Sequence, residues 1–137
     1  LTPIISDHCA VAHKVIRNRE PHWRQVIVAA CEQCGLNLIP ALDAATTLTD
    51  WLATSDADVR LIAIPGSAPI SNAISTVDSV SLLTGPEGGF SEAEEKEAIS
   101  AGLNTVTFGE RVLRAETAPV VALSVAQQVW GSFGVAN

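Results

Sequence analysis

The sequence predicts an α/β domain: a mostly parallel sheet with flanking helices. Three observations predict it. Short β-rich apolar runs recur at 59–64, 80–84 and 105–108. Each is closed by glycine or proline, and helical patterns follow the second and third. Runs of this kind, bounded by turn residues, fit strands covered on both faces, as parallel strands are.

Taken in order, residues 2–6 form a short apolar strand, with Pro3 placing it at an edge or a strand start. Residues 14–20 read as a polar loop. Trp23, Ile27, Ala30 and Cys34 then recur at i, i+4, i+7 and i+11, a single helical stripe that Gly35 ends. Residues 36–42 read as a strand and 46–53 as a short helix. The strand at 59–64 stops at Pro65-Gly66, and 70–76 fit a helical turn. After the strand at 80–84, residues 91–101 read as a helix. Ser91 and Glu94 have the spacing of a capping box, and Gly102 is a stop signal. The strand at 105–108 closes at Gly109. A last helix covers 117–130, its Pro119 tolerated because it lies in the first turn. That helix is apolar nearly all round, which predicts burial on several sides, including against a second subunit.

Composition narrows the function. Apolar residues make up 47% of the 137 and charged ones 17%, giving one globular domain with a large core. No apolar run approaches the roughly 18 residues of a membrane span. The start, LTPIISDHCAV, carries no signal-peptide pattern, and the chain has no methionine, so a fragment or processed chain is expected. A net charge of −7 argues against a generic nucleic-acid binder. The charge is uneven, however: Lys14, Arg17, Arg19 and Arg24 stand against only Asp7 and Glu20 in the first 24 residues. Any polyanion contact is therefore expected there. Three cysteines, an odd set, fit a reducing cytoplasm. Cys31 and Cys34 form a lone CxxC at a helix end, where no dipole lowers the thiol pKa, so neither a metal nor a redox site is expected.

Ligands of open α/β sheets bind beyond the carboxyl ends of the strands. Three loops qualify: Ile64-Pro65-Gly66, Gly85-Pro86-Glu87-Gly88-Gly89, and the stretch from Gly109 to Arg114. The middle loop has the glycine content of a phosphate cradle, yet Glu87, Glu92, Glu94 and Glu95 would repel a di- or triphosphate, and no P-loop lysine is present. A neutral or cationic ligand such as a sulfonium cofactor fits the charge better; a purely structural turn fits it equally well. In GERVLRAETAP, Arg114 and Glu116 could pair to fix the loop, or could orient a base and take a proton.

LLTGPEGGFSEAE, followed some twenty residues later by FGERVLRAETAPVVAL and preceded by HWRQVIVAACEQCG, resembles the 16S ribosomal RNA (uracil N3) methyltransferases of the SPOUT superfamily. The resemblance covers essentially the whole chain. It implies a SPOUT fold with a C-terminal trefoil knot, a rare exception to unknotted topology. It further implies S-adenosylmethionine as cofactor, a cytoplasmic homodimer as active unit, and ribosomal RNA of the small subunit as substrate. Matched by position, Ile64, Pro65, Leu83, Gly85, Pro86, Glu87, Gly88, Gly89, Phe108, Gly109, Val112, Leu113 and Thr117 would form the cofactor pocket. Arg114 and Glu116 would stand beside the transferred methyl, Glu116 assisting N3 deprotonation and Arg114 holding the base.

Two departures accompany the resemblance. Residues 1–137 correspond to the methyltransferase domain without its first strand and helix, and without the PUA-like RNA-binding domain that precedes them in the family. Leu36 and Leu38 also stand where the family has arginines, which weakens the polyanion face. Two alternatives follow: a SPOUT methyltransferase acting on a different RNA position, and a non-catalytic, dimer-forming remnant.

Overall fold

A computed structural model describes residues 1–9, 13–70 and 77–131, apart from the side chains of His13, Lys14 and Arg17. Strand β1 (Ile4–Ile5) precedes the long helix α1 (His13–Cys34), which leads to β2 (Thr46–Thr47) and α2 (Leu48–Thr54). Then come β3 (Val59–Ala63), β4 (Val80–Leu83), α3 (Glu92–Ser100), β5 (Asn104–Val106) and α4 (Ala118–Val129). All strand pairings are parallel: β3 lies between β4 and β5, and β1 pairs with β2. The helical turn expected at 70–76 falls, but for its first residue, outside the described residues.

Because side chains alternate along a strand, β3 feeds two cores. Ile62, fully buried, joins Leu83, Leu103 and Ala98 with Leu48 and Leu52 of α2 on one face. Val59 and Leu61 join Val106 on the other, where Trp130 at the end of α4 packs. Arg60 ties the first face together. Its guanidinium donates to the carbonyls of Leu52 and Ala101, both at 3.0 Å, putting a cation at the carboxyl ends of α2 and α3.

Two expected elements differ. Residues 14–20 are helix, not loop: α1 runs through Pro21, although an interior proline removes one helical bond. Ile16, 6% exposed, anchors the turns before it. The buried stripe accordingly ends on Cys31, while Ala30 and Cys34 face solvent. Gly35 stops the helix as expected, with Leu36 N–H reaching the Cys31 carbonyl at 3.0 Å. Residues 36–42 are not a strand. Pro40 supplies no donor, and only beyond it does the chain follow the N-terminus, through Asp43 N–H to Leu1 O and Thr46 N–H to Pro3 O. The strand expected at 105–108 begins and ends slightly earlier, as β5.

Candidate functional site

The loops that follow β3, β4 and β5 meet at one end of the sheet. Ile64 N–H donates to Val106 O at 2.9 Å, and Thr107 N–H to Ala68 O at 3.0 Å, so the first loop lies along the third. The middle loop turns through a Gly89 N–H to Pro86 O bond of 2.9 Å. Gly89 sits at φ 69°, where other residues are strained. Gly88 is pressed by the N-terminal segment: a Cβ there would lie 2.9 Å from that of His8, whose ring meets the Gly88 carbonyl at 3.1 Å. The third loop re-enters helix through Thr117 and Ala118 N–H bonds to Arg114 O, both 2.9 Å.

Between them lies a cleft. Nine of the thirteen residues expected for the cofactor line it: Ile64, Pro65, Gly85, Pro86, Glu87, Gly89, Phe108, Val112 and Leu113. Leu83 packs in the core, and Gly88, Gly109 and Thr117 are not among the lining residues. Ala63, Phe90, Glu95, Val106, Thr107, Ala115 and Ala118 complete the wall. The two strand residues Ala63 and Val106 are predictable as the last turn-facing positions of their strands. Glu95 is legible only from helix geometry, since side chains lean back toward a helix's N-terminus.

The glutamates divide by role. Glu94, 7% exposed, accepts from Ser91 N–H at 2.8 Å and Asp7 N–H at 2.9 Å, and the Ser91 hydroxyl accepts from Glu94 N–H: a complete capping box that also fastens the chain after β1. Glu92 pairs with Lys96 in solvent at 3.6 Å. Glu87 and Glu95 face the cleft, and among the described residues no basic side chain lines it.

A family model for the RNA methyltransferase domain matches residues 1–127. The chain belongs to this family. It is 30% identical over 135 residues to the ribosomal RNA small subunit methyltransferase E of Buchnera aphidicola subsp. Schizaphis graminum, covering 96% of this chain and 55% of that protein. A Legionella pneumophila protein solved in complex with the bound cofactor SAM superposes with a TM-score of 0.90 at 35% identity, over 96% of this chain and 56% of that one. The ribosomal RNA small subunit methyltransferase E of Neisseria gonorrhoeae, bound to S-adenosyl methionine, superposes at 0.85 and 34% identity, over 96% and 55%. The chain spans about half the length of these relatives.

In this RNA methyltransferase domain, Arg114 and Glu116 flank Ala115 at the mouth of the cleft. Ala115 lines it, whereas the other two side chains are 86% and 70% exposed and meet at 4.0 Å. Of the basic residues near the start, Arg19 is exposed and Arg24 donates to the Leu42 carbonyl at 2.9 Å, holding the segment after α1. The side chains of Lys14 and Arg17 lie outside the described residues. No described helix is long and apolar enough to cross a membrane.

Proposed function

We propose that this chain is the catalytic domain of a methyltransferase that uses S-adenosylmethionine to methylate N3 of a uridine in small-subunit ribosomal RNA. The observation that carries the reading is the cleft: three loops at the carboxyl ends of parallel strands, with apolar walls and two carboxylates, in a chain that superposes on relatives solved with that cofactor. The walls suit an adenine and a methionine chain, and the carboxylates suit a sulfonium. Calorimetry with S-adenosylmethionine tests it: micromolar binding is expected, and a folded protein that takes up none would end the reading.

Bound there, the cofactor supplies an electrophilic methyl carbon. The chain's part is alignment, since in-line displacement gains most from positioning. The backbone of 85–89 and 108–113 holds the donor, Arg114 holds the uracil or its developing anion, and Glu116 takes the N3 proton. What supports these roles is their place on the closing loop, on either side of cleft-lining Ala115, where both side chains are free to meet a substrate from solvent.

The same reading includes a C-terminal trefoil knot, a homodimer in the cytoplasm, and RNA affinity shared between Lys14, Arg17, Arg19 and Arg24 and a separate PUA-like domain. One observation favours another, non-catalytic reading: Leu36 and Leu38 are 50% and 79% exposed where the resemblance expects arginines. Methylation of ribosomal RNA by the full-length protein separates the two, and mapping the methylated atom fixes the position.

A further inference from the structure

The acids of the cleft have a consequence for which form of the cofactor it keeps. Resting on the cofactor reading above, we infer that Glu95, aided by Glu87, makes the cleft selective for the charge of the sulfonium, so that it holds S-adenosylmethionine and releases the neutral thioether product.

Four observations lead there. Both carboxylates line the cleft and, among the described residues, no basic side chain does, Arg111 and Arg114 on the third loop being exposed to solvent. Glu95 is half-buried, and among the described residues its carboxylate has no hydrogen bond or ion pair; Lys96, the nearest cation in sequence, is paired with Glu92 instead. The N-terminus of α3, which could have offset the acids with its positive end, is already capped by Ser91 and Glu94. The remaining wall is largely alanine, isoleucine, proline, valine and phenylalanine, a low-dielectric surround that strengthens a charge–charge interaction over its value in water.

The donor and the product differ by one methyl group and one positive charge. At neutral pH S-adenosylmethionine carries a sulfonium, an ammonium and a carboxylate, net +1; S-adenosylhomocysteine lacks the sulfonium and is net neutral. Adenine, ribose and amino-acid contacts are common to both and cannot tell them apart. A field of negative sign can. When the methyl carbon moves to the base nitrogen, the carbon–sulfur electron pair stays on sulfur, its charge is neutralised, and the attraction disappears in the same step. Donor retention and product release thus follow from one pair of side chains. Glu95 contributes more than Glu87, because Glu87 is exposed and screened by water and salt.

The test measures dissociation constants of the full chain for three probes: S-adenosylmethionine, S-adenosylhomocysteine, and sinefungin, whose protonated amine replaces the methylsulfonium group. The wild type should prefer the two cationic probes by about tenfold. Glu95→Gln, which keeps shape and removes charge, should shrink that ratio to about threefold or less, with product affinity changed less than about twofold. Glu87→Gln should shrink it by a smaller factor, and Glu92→Gln, whose side chain is turned to solvent, should leave it unchanged. Equal weakening of all three probes by Glu95→Gln would mean that Glu95 holds a group common to them, and would overturn the inference, as would an unchanged ratio. If the wild type binds none of the three, the cofactor reading itself falls and takes the inference with it; binding without charge preference leaves that reading standing and removes only the inference.

Discussion

Single side chains of one type do different work in this domain, and their surroundings decide which. Asp58 is exposed, yet its Oδ2 accepts from Ser79 hydroxyl at 3.0 Å, Ser79 N–H at 2.9 Å and Asp78 N–H at 3.0 Å, and these bonds hold its carboxyl below the ordinary aspartate value of 3.8. A depressed folded-state pKa stabilises the fold above the unfolded value, and that contribution is lost as pH falls through the lower folded one. Wild type and Asp58→Asn should therefore differ in thermal midpoint at neutral pH, and the difference should close only as pH falls below 3.8 and through the lower folded-state value, measured by melting at stepped pH. Glu116 carries a prediction of another kind. As the proposed proton acceptor it should touch turnover and not cofactor affinity, so Glu116→Gln should lower kcat by about 10²–10⁴ while the dissociation constant for S-adenosylmethionine stays the same. Full turnover on small-subunit RNA would remove it from the mechanism.

At the scale of the element, α3 shows how much local sequence can specify. Its capping box, its acid-rich first turn and its glycine stop are all local signals, and they place the helix to within a residue of where it lies. What they could not give is the partner from afar: Asp7, whose N–H shares the Glu94 carboxylate. Glu94→Ala leaves two N–H groups without an acceptor and should cost about 2 kcal/mol. That corresponds to a fall of roughly 5–10 °C in Tm. Glu92→Ala, which loses only a solvated pair, should cost under about 0.5 kcal/mol. Differential scanning calorimetry on the two variants separates them. The start of α1 was illegible for the opposite reason. Pro21 and the polar stretch before it read as a loop because tertiary burial of Ile16, not local propensity, keeps those turns helical. Residues 36–42 misled likewise: they are apolar, but exposed Leu36, Leu38 and Ile39 show that the chain there is not feeding a sheet.

Across the whole molecule, the cleft was more legible than the ends of the elements that frame it. Glycine-rich loops at the carboxyl ends of successive parallel strands must converge once the strands are neighbours, and β3 between β4 and β5 makes them so. The phase of α3 was not legible in the loop motif, and so Glu95 was missed. The last feature at this scale is the greasy helix α4. Its Ala122 is fully buried, but Val120 and Leu123 are 62% and 53% exposed. Leu123 and Pro119 line an apolar groove with Trp23, Val26 and Ile27 of α1 and Leu1 and Pro3 of the N-terminal segment. A continuous apolar surface of this kind fits the proposed homodimer. The wild type should run as a dimer at micromolar concentration in light scattering after size exclusion, and Leu123→Asp should shift it to monomer while keeping its helical circular dichroism. Because Ala118, the first residue of the same helix, lines the cleft, assembly and cofactor binding should be linked: dilution that dissociates the dimer should weaken affinity for S-adenosylmethionine. A monomeric wild type would refute the dimer, and an affinity independent of dilution would confine α4 to assembly alone.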